Sequence, residues 1–292
     1  MLTSPEHLGF HGWRWHSLSI SYELGCLQRS SLFYANQCHD CYQRCSPSDL
    51  TCFKSCKKTC DNISKNLSSS LQHVWGWNWN TFVMVEEKLF FPWLRSYQVK
   101  SAYENILQAL EKERNRLLQF SNNQGQLLRL SVWRKRLAAI LSPLTFLWNE
   151  WWLLKGQKRC TTTTSVVEHC RQLKVEMEQQ YQRQLEMHRF IAQLHKMCDK
   201  YFVHERTWLL PKISGLVPTS QQIKFNNQVL RFLGYSNCRL QLVVFDESLK
   251  QSSREEWLLF RSQVPRPIRL FIPYWKRCYY KQLHHRMCLV NR

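Results

Sequence analysis

Apolar residues recur along this chain at intervals of three and four, the spacing that lines up one face of an α-helix. From Ser101 the series Ile106, Leu107, Leu110, Leu117 and Leu118 predicts an amphipathic helix that closes near residues 121–125. From Ser165 the series Val166, Cys170, Leu173, Met177, Tyr181, Leu185, His188, Ile191, Leu194, Cys198 and Tyr201 runs for about ten turns without Gly or Pro. One long helix is expected there. A further helix is expected over 219–233, with Gly234 as its C-terminal stop. Ser101-x-x-Glu104, Ser165-x-x-Glu168, Thr219-x-x-Gln222 and Ser253-x-x-Glu256 read as helix starts, because the hydroxyl and the fourth side chain can each satisfy a free backbone amide. The polar runs 119–126 and 155–164 read as connections. The alternation over 240–245 admits a short strand as readily as a helix.

Composition narrows the class. With only 8 Gly and 9 Pro in 292 residues there is little turn chemistry for a many-stranded fold, while 44% hydrophobic residues supply ample core. The chain is read as all-α. Lys and Arg number 41 against 21 Asp and Glu, a surplus of +20 that favours an anionic partner, nucleic acid or an acidic membrane surface. From Trp257 onward there are eight basic residues (Arg261, Arg266, Arg269, Lys276, Arg277, Lys281, Arg286, Arg292) and no acid, the pattern of a solvated basic tail. No transmembrane segment is expected, since the most apolar stretch, 137–154, is broken by Pro143, Asn149 and Glu150. The aromatic residues Trp148, Trp151 and Trp152 in that stretch suit a core better than a membrane interface. Residues 1–15 show no signal peptide, so an intracellular location, cytoplasmic or organellar, is expected. No Gly-rich phosphate loop, Gly-x-Ser-x-Gly elbow or His-Glu-x-x-His helix is present, and the chain reads as a non-enzyme.

An internal repeat is the most specific signal. Phe82-Val-Met-Val-Glu86-Glu-Lys-Leu-Phe-Phe-Pro92-Trp-Leu94 aligns without gaps on Tyr201-Phe-Val-His-Glu205-Arg-Thr-Trp-Leu-Leu-Pro211-Lys-Ile213, an offset of 119. Each copy sets an aromatic residue and a Glu one turn apart on the same helix face, and the Pro six residues later is expected to end the helix. Two such helices facing one interior would bring two carboxylates together.

This spacing resembles the haemerythrin-like (HHE cation-binding) domain, an up-down four-helix bundle whose interior His and carboxylate residues hold two irons for oxygen binding or iron sensing. The resemblance extends over roughly 10–235. It implies that Glu86 and Glu205 occupy the two carboxylate positions, whereas the paired histidine positions hold Phe82 and Tyr201. Tyr103 stands where the third helix would carry a histidine. His16 is the preferred match on the first helix, with His39 the second choice. Two Glu and one His are too few for a di-iron pair, which needs several imidazoles. The resemblance therefore implies a bundle whose iron site is lost or altered, acting as a binding or scaffold module, with Phe82, Tyr103 and Tyr201 filling the space. Its direct rival is a working iron site in which Tyr201 or Tyr103 serves as a phenolate ligand. A third reading is a basic helical component of an organellar or nucleic-acid-containing assembly.

Six of the 13 Cys fall within residues 38–60, namely Cys38, Cys41, Cys45, Cys52, Cys56 and Cys60. The spacing of four places Cys41/Cys45 and Cys52/Cys56/Cys60 along single helix faces, with Pro47 in the turn between them. Locally it is similar to the twin Cys-x3-Cys hairpins of proteins oxidised in the mitochondrial intermembrane space. Spacing alone admits disulfides across facing turns, thiolates gathered around zinc, or free thiols, with disulfides ranked ahead of zinc. The other seven Cys are scattered singly, as in a reducing compartment. The expected organisation is a haemerythrin-like bundle over 1–235 that includes the Cys-rich hairpin 38–60, followed by a basic helical extension over 236–292.

Overall fold

The computed structural model describes residues 11–46, 49–96, 104–122 and 163–282. Among the described residues every regular element is a helix and there is no strand. α1 (His11–Arg44) is followed by α2 (Leu50–Leu71), α3 (Asn80–Val85) and α4 (Phe91–Ser96), which form one rod because the π-helical stretches Gln72–Trp79 and Glu86–Phe90 join them without a break. α5 covers 104–122. α6 (Thr163–His204) passes through a third π-helical stretch, Glu205–Leu209, into α7 (Leu210–Leu216). α8 (Thr219–Ser252), α9 (Arg254–Gln263) and α10 (Arg266–Gln282) complete the order.

Cross-helix pairs give the chain directions. Trp13 meets Glu205 while Ser31 meets His188, so α1 and α6 are antiparallel. His16 meets Asn78 while Cys45 meets Cys52, so α1 and α2 form an antiparallel hairpin. Glu113 meets His204 while Phe120 stacks on Phe190, so α5 is antiparallel to α6. Lys57 meets Glu176 and Asp61 meets Gln180, so α2 and α6 run parallel, in register at the same offset of 119 that separates the two sequence repeats.

The α1–α6 seam is a heptad pattern. On α6, Cys170, Met177, Gln184, Ile191, Cys198 and Glu205 are buried at intervals of seven, with Leu173, Gln180, Leu194 and Tyr201 in the second row. On α1 the matching rows are Trp13, Ile20, Leu27, Tyr34 and Ser17, Leu24, Ser31, Cys38. This corrects the expected face of α6. Tyr181 and Leu185 are only half-buried, and Gln180 and Gln184 take the seam instead. A helix packed along a partner keeps a 3.5-residue period, and over α6 the mismatch with 3.6, about 20° per heptad, moves the apolar stripe. Ser17 and Ser31 are buried in this seam, and at Gly25 an added Cβ would stand 3.3 Å from His195 Cε1.

Two further expectations are corrected. Pro92 and Pro211 do not end their helices, since α4 runs on to Ser96 and α7 to Leu216. Ahead of each proline the chain widens into a π-helical turn in which the Phe91 N–H bonds Glu86 O and the Leu210 N–H bonds Glu205 O. The wider turn relieves the clash between the proline ring and the preceding carbonyl. Gly234, at φ 68° and ψ 168°, does interrupt the helix that opens at Thr219, as expected, and a second helical run follows it through 240–245 within the span of α8. Ser165 lies inside α6, which is already helical at Thr163, and Thr219 opens α8 behind Pro218 rather than capping it. Ser253 does cap α9, accepting from the Glu256 N–H at 3.4 Å.

α8 crosses α1, and α9 and α10 fold back onto α8 around Trp15, Leu249, Phe260, Val264 and Ile272. The described part of the basic segment is therefore packed and partly neutralised: Arg261 pairs with Asp246 at 3.3 Å and Lys276 with Glu247. No described helix is long and apolar enough to cross a membrane. The apolar stretch 137–154, the Ser101 start and Pro47 lie outside the described residues.

Candidate carboxylate site

Glu86 and Glu205 each open a π-helical turn, on the α2–α4 rod and on the α6–α7 helix. Neither has any exposed surface. The Tyr201 hydroxyl donates to Glu86 Oε1, and Arg114 Nη1 of α5 lies 3.1 Å from Glu86 Oε2. A second arm of the same guanidinium, Nη2, reaches Glu87 Oε1 at 3.0 Å. Trp13 Nε1 of α1 donates to Glu205 Oε1, while Glu205 Oε2 is buried without a hydrogen-bond partner among the described residues. Four helical segments thus contribute to one interior cluster, walled by the rings of Trp79, Phe82, Phe90 and Phe202.

Burial raises the Glu86 carboxyl to about 7, against the pull of the Tyr201 hydroxyl and the Arg114 charge. Glu205 is pushed well above the usual carboxylate range, first by burial and then by the negative charge of Glu86. The Tyr201 phenol is raised for the same reasons, burial first and then the two carboxylates. Burial and the Glu86 charge therefore favour the protonated form of Glu205, and one guanidinium faces the pair of carboxyls.

Of the residues singled out in the sequence, the fold brings together Glu86, Glu205 and Tyr201. His16 is turned to another group, 3.1 Å from Asn78 Oδ1 and 3.1 Å from Gln241 Nε2, with its ring edge-on to Phe82. His39 stacks near Tyr181 at 4.8 Å, roughly 36 Å along α6 from Glu205. His204 pairs with Glu113 at 2.7 Å and stacks on Trp208. Tyr103 lies outside the described residues.

Sequence reasoning missed Trp13 and Arg114. Arg114 sits in a polar stretch, Glu111-Lys-Glu-Arg114, and nothing in its spacing separates it from solvent-facing neighbours. It also missed a second buried polar group. Asn78 Nδ2 donates to Glu23 Oε2 at 2.7 Å, Tyr279 OH donates to Glu23 Oε1 at 2.9 Å, and His73 Nε2 lies 2.7 Å from that hydroxyl. Burial raises Glu23 to about 7 and lowers His16 to about 4. This group ties α10 to α1 and to the Gln72–Trp79 stretch.

At the hairpin tip Cys45 Sγ lies 3.0 Å from Cys52 Sγ and 3.5 Å from Cys56 Sγ. Cys38 and Cys60 pair two turns further along. No family model, curated protein or solved structure matches this chain.

Proposed function

We propose that the chain is a divergent haemerythrin-like four-helix bundle whose iron site has been replaced by an internal ion pair, and that it acts as a binding or scaffold module. The observation that supports this reading is the Arg114 guanidinium against Glu86. A di-iron site would need both carboxylates ionised and several neutral imidazoles directed at the same point. Here one carboxyl is held by Arg114 and Tyr201, the other is pushed towards its neutral form and held by Trp13, and the histidine positions carry Phe82 and Tyr201. The donor set does not fit a pair of irons. The antiparallel order of α1, the α2–α4 rod, α5 and α6 is what an up-down bundle requires.

The removal of a metal from such an interior leaves two uncompensated carboxylates, each costly to bury. One cation, one phenol and one indole answer that cost here, and burial favours the neutral form of Glu205. What remains among the described residues is a helical body with aromatic packing at its centre and both carboxyls fully buried. Elemental analysis of the purified full chain tests the reading: iron should be well below one per chain, and Glu86→Gln should leave that figure unchanged. About two irons per chain, lost on Glu86→Ala with Glu205→Ala, would overturn it.

A further inference from the structure

The turn between α1 and α2 gathers a second set of reactive side chains, independent of the bundle interior. Cys45 stands at the end of α1, and Cys52 and Cys56 stand one helical turn apart on the facing side of α2. All three sulfurs lie within 4.8 Å of one another. Around a tetrahedral zinc with Zn–S bonds of about 2.3 Å, sulfurs are about 3.8 Å apart, so a shared ion needs only small side-chain adjustments. A disulfide would draw two sulfurs to about 2 Å and leave the third without a role. Cys45 faces two thiols at comparable distances, a geometry that one ion uses fully and one covalent bond does not.

The surroundings hold the three sulfurs together. Asp49 Oδ1 accepts from the Cys52 N–H at 2.9 Å and so fixes the first turn of α2. Cys45 and Cys56 both direct their S–H groups at the Cys41 carbonyl, at 3.3 and 3.5 Å, and burial together with these bonds keeps them as thiols until an ion replaces their protons. Phe53 of α2 and Cys170, Leu173 and Met177 of α6 form an apolar wall against Cys41, Cys45, Leu50 and Cys56. Three thiolates around a divalent ion leave a net negative charge, and Arg44, Lys54, Lys57 and Lys58 surround the tip in sequence with Asp49 the lone acid among residues 43–58. Soft sulfur donors select zinc over the hard cations that prefer oxygen.

We propose that Cys45, Cys52 and Cys56 bind one zinc ion as thiolates, with Cys41, one turn before Cys45 on α1, supplying the fourth ligand. Each sulfur releases its proton to solvent as the ion binds, and nothing is oxidised or reduced. The site would cross-link α1 to α2 at the tip of the hairpin.

The test uses the full chain, reduced and freed of metal under anaerobic conditions, then exposed to zinc alone. One zinc per chain should bind, and alkylation followed by peptide mapping should show Cys41, Cys45, Cys52 and Cys56 protected by the metal. Cys45→Ser should weaken binding at least about tenfold, whereas Cys278→Ser, on the exposed side of α10, should not. The protection map needs no substitution, so a variant that misfolds does not blunt the test. Failure of the reduced chain to take up zinc overturns the proposal, as does protection that maps to cysteines other than these four. So does a Cys45–Cys52 disulfide in the isolated protein whose reduction restores no zinc binding.

Discussion

Arg114 is the residue on which the interior depends most. It is nearly fully buried and touches both Glu86 and Glu87. Truncating one partner of a buried ion pair commonly costs about 3–5 kcal/mol, because the other charge is left without compensation. Arg114→Ala should therefore destabilise the fold by roughly that amount in urea denaturation at pH 8. The loss should be smaller at pH 5, where Glu86, raised to about 7, is already protonated. An equal loss at both values would show that packing, not charge, is what Arg114 contributes. The second polar group gives a paired prediction. Glu23 titrates near 7 in the fold against about 4.5 unfolded, so its contribution to stability is complete below about 4.5 and is lost as pH rises through 7. His16 has the opposite sign, since its folded value near 4 lies below the ordinary 6.5, and its contribution is lost as pH falls through 4. Glu23→Gln should remove a fall in stability of up to about 3 kcal/mol as pH rises from 4.5 to 7, and His16→Gln should remove the opposing rise between about pH 4 and 6.5.

At the scale of elements, the π-helical turns and the kink in α8 are the places where the chain departs from simple helix. Gly234 has φ 68° and ψ 168°, a region essentially closed to residues with a Cβ, although nothing lies within 4 Å of where that Cβ would be. Gly234→Ala should cost about 1–3 kcal/mol through backbone strain alone, and thermal unfolding should register it. Were the kink dispensable, the alanine variant would be neutral or more stable, since Ala favours helix over Gly by about 1 kcal/mol. The two π turns before Pro92 and Pro211 have a different role. Each places its Glu at the start of a widened turn, so the repeated sequence yields a repeated local geometry at both ends of the carboxylate pair.

The whole molecule is held together across long sequence distances. Trp13 reaches Glu205, and Tyr279 reaches Glu23. The second contact fastens the C-terminal helix to the first. Tyr279→Phe should raise hydrogen exchange in α10 while leaving α1 and α6 protected, because local opening needs only the loss of that attachment. Loss of protection throughout would show that α10 is part of one cooperative unit with the rest. The salt pairs of Arg261 and Lys276 with Asp246 and Glu247 also bear on the net charge of +20, since part of the basic C-terminal segment is spent within the molecule.

The amino-acid sequence by itself determined the helical class, the long α6, the equivalence of 82–94 with 201–213 and the grouping of cysteines at the hairpin. Those features follow from local periodicity, and local periodicity is written along the chain. Only the tertiary structure decided what surrounds the two glutamates. Arg114 comes from a helix with no distinguishing motif, Trp13 from a segment 192 residues away from its partner, and His16 is drawn to Asn78 and Gln241. The burial of Gln180 and Gln184 was hidden for a related reason: which stripe of a long helix faces inward depends on the helix it winds against, and that partner is absent from any local window.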